Sequence, residues 1–395
     1  YSATTTKAST SATITGAMKA AKVEIDTTGT ALETNADAFA VSSAGALIAG
    51  NGADSGVVLE YDVITRVGGT FTGGSLAIGG ESDATAQVEA TGNQGGLAAI
   101  GVVLTDVSAP RANVSVQLLP GATAVMSGAV TITADNAPEI RQIANSGSGG
   151  LVSGAGAEGT STLTAVTTAL NNATRVMASD VTLRAAADIG TAARVSSFNA
   201  SILGASGAQM TTTVGTTVKT TQGTNTRIEA ESLLINALNK IDRPLDPEFN
   251  VDSGSGGLLD VAAMFSDIDL TLATDIDIRD GAALKQLITR GADDVFRIGL
   301  ETDVVMSVRQ NLDIYAGGNA KLNSEVHTSA NGLAGVPGAK SIVDYDAGHA
   351  IELSGGTALT SEDKIALRAG HVADSQQVLA IRAEARVWNR TAFPI

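Results

Sequence analysis

A short alternating signature returns along this chain about every 52 residues: an apolar residue, any residue, a second apolar residue, and often alanine two positions further on. It occurs at Val23/Ile25, Leu76/Ile78, Val130/Ile132/Ala134, Val181/Leu183/Ala185, Leu233/Ile235/Ala237, Ile276/Ile278, Leu312/Ile314/Ala316 and Ile365/Leu367/Ala369. Successive first members are 53, 54, 51, 52, 43, 36 and 53 residues apart. A second landmark keeps the same beat: Gly45-Ala46-Leu47, Gly95-Gly96-Leu97, Gly149-Gly150-Leu151, Ser201-Ile202-Leu203 and Gly256-Gly257-Leu258. The hexapeptide Ser-Gly-Ser-Gly-Gly-Leu appears at 146–151 and again at 253–258. A fixed period of this size marks an array of stacked units, each burying against its neighbour a face it cannot bury alone.

Between landmarks the pattern alternates with period two. From Ser161 to Leu170, Leu163, Ala165 and Thr167 share one face, and Asn171-Asn172 follows as a turn. Alternation bounded by Gly, Asn and Asp is the strand signal, and helical spacing is absent. Aromatic residues are 3% of the chain, so the core must be built from small and β-branched side chains, which suit tightly layered strands. The expected architecture is all-β: a parallel β-solenoid, a right-handed β-helix, of about eight ~52-residue repeats. Coils of roughly 20 to 25 residues would make each repeat two coils, and a rise of about 4.8 Å per coil gives a rod of roughly 75 Å. An antiparallel β-prism-like repeat array is the competing architecture. In either, the glycine cluster marks a sharp turn or a close approach of backbone to the next layer.

The chain changes character near residue 241. Asp, Glu, Lys and Arg number 30 in residues 1–240 and 36 in residues 241–395. Residues 1–240 read as regular solenoid repeats. Residues 241–395 read as their continuation, with irregular, more charged repeats and a loop near 242–252 that opens on Arg243-Pro244-Leu245-Asp246-Pro247. Each proline denies the ladder a hydrogen bond.

Composition also excludes functions. A net charge of −16 without a basic run argues against nucleic acid, which needs clustered Lys and Arg. With no cysteine, disulfides and thiolate metal sites cannot form. The longest apolar stretch, Leu97 to Leu104, is less than half a membrane span, so no membrane insertion is expected. Tyr1 to Lys7 lacks the basic start and apolar run of a secretion signal, which reads as a mature piece or fragment of something longer.

Three sets of residues could carry chemistry. His327, His349 and His371 are spaced 22 and 22, close to one short coil, which would stack their imidazoles as a metal-binding or pH-sensitive ladder. The alternative is three unrelated surface histidines. Asp267/Asp269 and Asp275/Asp277 recur at strand spacing, with Asp280 and Asp293/Asp294 beyond. Such carboxylates could collect calcium, although the glycine-rich nonapeptide and the EF-hand loop are missing. The favoured reading is a solvated outer face with Ile268, Ile276 and Ile278 pointing inward. Gly335-Val336-Pro337-Gly338-Ala339-Lys340-Ser341 lacks the glycine before lysine that a phosphate loop needs. No Gly-Xaa-Ser-Xaa-Gly elbow is present, so serine hydrolysis is not expected. Sugar cleavage by paired carboxylates on a β-helix is a weaker alternative, because Trp388 is the single tryptophan available for a sugar platform.

Val130-Thr131-Ile132-Thr133-Ala134-Asp135-Asn136, the run from Ser146 to Ala157, and Val181-Thr182-Leu183-Arg184-Ala185 together resemble the large filamentous adhesins of Gram-negative bacteria, the filamentous-haemagglutinin-like and leukotoxin-type giant surface proteins. The resemblance covers residues 20–240 best. It implies an extracellular or cell-surface β-solenoid without enzymatic activity, serving as an adhesive stalk or passenger segment. Its partners would be a host or neighbouring cell surface, or further copies of itself in a filament. No cofactor is implied.

Overall fold

The computed structural model describes residues 1–28, 35–223, 226–278, 283–285, 305–308, 311–353, 358–361, 363–372, 375–376 and 378–394. Every regular element among them is a β-strand. Sixteen strands join in one sheet, and all their pairings are parallel; the single antiparallel pair is the short His371–Val372 with Ser375–Gln376. An antiparallel prism is therefore ruled out for this body.

Register fixes the length of a coil. Val23 lies beside Leu76, Leu76 beside Val130, Val130 beside Val181, Val181 beside Leu233, Leu233 beside Leu312, and Leu312 beside Ile365. The hydrogen-bonded neighbour is one whole repeat away, so a repeat is one coil rather than two. Seven signature rows at about 4.8 Å give a stack of roughly 30 Å instead of 75 Å. The expectation for Ile276/Ile278 is also corrected. Ile276 pairs with Thr220 on one side and Ile351 on the other, placing it on the opposite run of the coil, and the coil from Leu233 to Leu312 simply carries extra length.

A coil this long is flattened. In the coil that starts at Val130, residues 130–136 and 139–148 form one run, and residues 153–171 form the return run. Contacts across the interior show the doubling back: Gln142 Nε2 donates to Thr160 O at 2.8 Å, and Ser161 Oγ donates to Gln142 Oε1 at 2.7 Å. At about 3.3 Å per residue each run spans roughly 60 Å. The slab has a corner near Leu151 at one end and a second bend near Ala173–Ser179 at the other.

Alternation builds the core. Val130, Ile132 and Ala134 are buried while Thr131 and Thr133 between them are half-buried. The signature's alanine belongs to a third inward row, Ala134, Ala185, Ala237 and Ala316, all buried. At the last row the core opens, and Ile365 and Leu367 are each 41% exposed. A further polar link crosses the interior: the Tyr61 hydroxyl donates to Asn136 Oδ1 at 2.5 Å, and Asn136 Nδ2 donates to Ala112 O at 2.9 Å. Near the prolines the register breaks, because residues 242–248 lie opposite the shorter stretch 321–323.

Candidate functional site

The corner carries the Gly-Gly-Leu landmark, and its geometry follows from a change of parity. Before it the even-numbered residues through Ser148 point inward; after it the odd-numbered ones from Ser153 do. The switch leaves two consecutive residues, Leu151 and Val152, facing out. Stacking repeats this in every coil, so Leu47, Leu97, Leu151, Ile202, Leu258 and Leu333 form a continuous outward ladder. These side chains are between 43% and 73% exposed.

Glycine permits the stack at this point. A β-carbon on Gly96, Gly150, Gly257 or Gly332 would lie 2.1, 2.0, 1.7 or 1.8 Å from a carbonyl oxygen of the coil below. The backbones touch, and no side chain fits between them. The sequence-based expectation of a close backbone approach holds at these glycines.

The surroundings of the ladder are uncharged. Segments 42–53, 92–103, 146–157, 197–208, 253–264 and 328–339 stack in register without insertion. Charged residues make up 17% of the chain, yet these six segments contain one, Asp260, and its side chain is buried. Beside the ladder the glycines Gly156 and Gly207 floor a shallow groove of about 390 Å³, edged by Val102, Leu104 and Phe265, with Glu158 as its one carboxylate. A second groove of about 400 Å³ runs over Leu203, Leu259 and Val261. Monomeric soluble proteins seldom expose a continuous apolar surface of this kind.

The structure separates the histidines. His327 lies between Asp252 and Arg386 in neighbouring coils. Its Nδ1 is 3.4 Å from Asp252 Oδ1, its Nε2 is 3.4 Å from Glu325 Oε2, and its ring meets Trp388 edge-on at 5.4 Å. Burial pushes the Asp252 carboxyl up, and the charges of His327 and Arg194 partly offset it. His349 sits in the same coil as His327, beside Thr274, with its ring turned toward Gly318. His371 pairs with Gln376 in the short antiparallel strand pair. A ladder required a 22-residue coil, so the longer coil removes it.

Asp267 is half-buried between Thr211 and Ile342, and Asp269 is exposed between Thr213 and Asp344, while Ile268 between them is fully buried. This is the solvated outer face the sequence suggested. Asp275 pairs with Lys219 and Ala350, and Asp277 with Thr221 and Glu352. The side chains of Ile276 and Ile278, and Asp280, Asp293 and Asp294 altogether, lie outside the described residues. Among the described residues no three His, Asp or Glu side chains group as a metal site. The stretch Gly335–Ser341 is strand, without the helix a phosphate loop requires.

Comparison of the chain with protein-family models, with curated proteins and with solved structures returns no match.

Proposed function

We propose that this chain is a structural and adhesive segment of a secreted bacterial cell-surface protein, a right-handed solenoid extended by adding ~52-residue coils. The observation that carries the reading is the uncharged corner, whose exposed leucine ladder runs across six coils. A selected repeat has no need to keep apolar side chains in water coil after coil unless something covers them. The ladder would contact a host or neighbouring cell surface, while the acidic remainder of the slab keeps the protein dispersed.

A second reading, the subunit of a self-assembling filament, draws on the open last row at Ile365 and Leu367, since an uncapped strand edge is a template for another strand.

The test replaces Leu97, Leu151 and Leu258 together by serine. These residues are 45% to 49% exposed, so the melting midpoint should hold while adsorption to cells and to an alkylated surface falls at least tenfold. Adsorption that is equal for both proteins defeats the adhesive reading. Concentration-dependent fibres that persist in the triple variant would favour the filament.

A further inference from the structure

Past the corner the return run turns a broad face outward, and two rows of that face run parallel through the stack. Val152, Leu203 and Leu259, stacked coil on coil, make a ridge and are 43% to 54% exposed. Four residues further along each strand stand Gly156, Gly207 and Ala263, also stacked. The two glycines floor the groove of about 390 Å³, so this row is a trough. Even-numbered residues face out in the coil of Val152 and odd-numbered ones in the coils of Leu203 and Leu259, so ridge and trough share one face. At about 3.3 Å per residue they lie roughly 13 Å apart.

A ridge beside a parallel trough of the same period is complementary to itself. A two-fold axis standing on the face midway between the rows, at the level between Gly156 and Gly207, exchanges them. It sets Leu203 of one copy over Gly156 of the other and Val152 over Gly207, in both directions at once. Only a second stack with the same period of about 4.8 Å keeps this fit through successive coils. Charge favours the same occupant. The chain carries −16, so two copies repel wherever their carboxylates meet, yet the ridge, the trough and the row between them contain no charged residue. The nearest charges, Asp54, Glu158 and Lys340, stand two residues beyond the trough in the row that forms its rim. From Ile48 to Ala334 the face crosses six stacked coils. At about 24 Å by about 20 Å from ridge to rim, two copies would bury roughly 1,000 Å² between them, the lower bound for a specific interface.

We propose that this face binds a second copy of the chain, forming a closed two-fold dimer in which each ridge fills the other's trough. It uses other side chains than the corner ladder, and unlike the open last row it does not add copies without limit. The two stacks run antiparallel, which is how slabs carried by facing cells would meet; that last step alone rests on the adhesive reading. With an interface near the lower size bound and no ion pair at its centre, the dimer is weak. Salt strengthens it, because screening relieves the repulsion between two acidic chains.

Sedimentation velocity of the full chain over a concentration series, at low and at high salt, tests it. A single equilibrium between monomer and dimer is expected, shifted toward dimer by salt. A β-carbon at Gly156 or Gly207 meets nothing closer than 3.7 Å, so Gly207→Glu should fold while placing a carboxylate in the trough. It should weaken dimerisation at least tenfold, as should Leu203→Ser, with the melting midpoint held in both. The chain with serine at Leu97, Leu151 and Leu258 should still dimerise, which separates this interface from adsorption through the ladder. A chain that stays monomeric at every concentration and salt overturns the proposal, as do open-ended polymers or a dimer that Gly207→Glu leaves equally tight. If Gly207→Glu does not fold, unaltered dimerisation of Leu203→Ser overturns it instead.

Discussion

Ile132 stands in an inward row of the signature, between Ile78 and Leu183, and is 1% exposed. Ile132→Ala deletes three carbons. At about 0.8 kcal/mol per buried methylene the transfer loss is about 2.4 kcal/mol. The cavity adds to it, because rows above and below are held at about 4.8 Å by the ladder and cannot collapse inward. A total of about 3–4 kcal/mol follows. Ile132→Asp should cost more, since the carboxylate would have to enter the stack charged or take up a proton. Thr131→Asp, one residue away but facing outward, should change stability by less than about 1 kcal/mol. Stability in a stacked array is a sum over neighbouring coils, so the loss should appear first as local opening. Hydrogen exchange of residues 76–82, 130–136 and 181–187 reads that opening, and urea denaturation followed by circular dichroism reads the whole. Equal effects of Ile132→Asp and Thr131→Asp would refute the inward and outward assignment on which the fold rests.

Other consequences are as direct. Gly96→Ala should destabilise by about 1–3 kcal/mol or more, because its β-carbon meets Ala46 O at 2.1 Å, while Gly95→Ala, with open space around it, should be nearly neutral in the same melt. Tyr61→Phe leaves Asn136 Oδ1 buried without its donor and should cost about 1–3 kcal/mol; an unchanged urea midpoint would show that the link carries no weight. Burial pushes the Asp260 carboxyl up, partly offset by the Gly257 N–H. The folded chain therefore binds that proton more tightly than the unfolded one, and this stabilisation is lost as pH rises from the ordinary carboxylate range through the raised value. The protein should accordingly lose stability between pH 4 and neutrality by more than Asp260→Asn does; parallel profiles would contradict the burial argument.

The leucine ladder and the burial of Asp260 were less legible than the core. Gly149-Gly150-Leu151 is visible as a landmark, but whether its leucine faces in or out depends on the parity switch across the corner. A signal was available: the alternation changes from even to odd there, and charge is absent from five of the six twelve-residue corner segments. Asp260 reads as one more acidic residue in a chain with 41 of them; only stacking against Gly204 shows it enclosed. The Asp267 and Asp269 pair, by contrast, was readable as outer face from the buried Ile268 between them.

By itself the sequence determined that strands stack in a repeat of about 52 residues and which side chains of the regular signatures, such as Val130, Ile132 and Ala134, point inward. Both are local facts: period two assigns the faces of a strand, and a recurring pattern assigns the residues that are equivalent. Tertiary structure alone decided how many turns fill a repeat, because equivalent residues recur at the same interval whether the chain circles once or twice between them. That one choice sets the flattened slab and separates the three histidines. It brings Ile276 beside Ile351 rather than into the signature row, and it sets Asp260 beside Gly204 of the preceding coil.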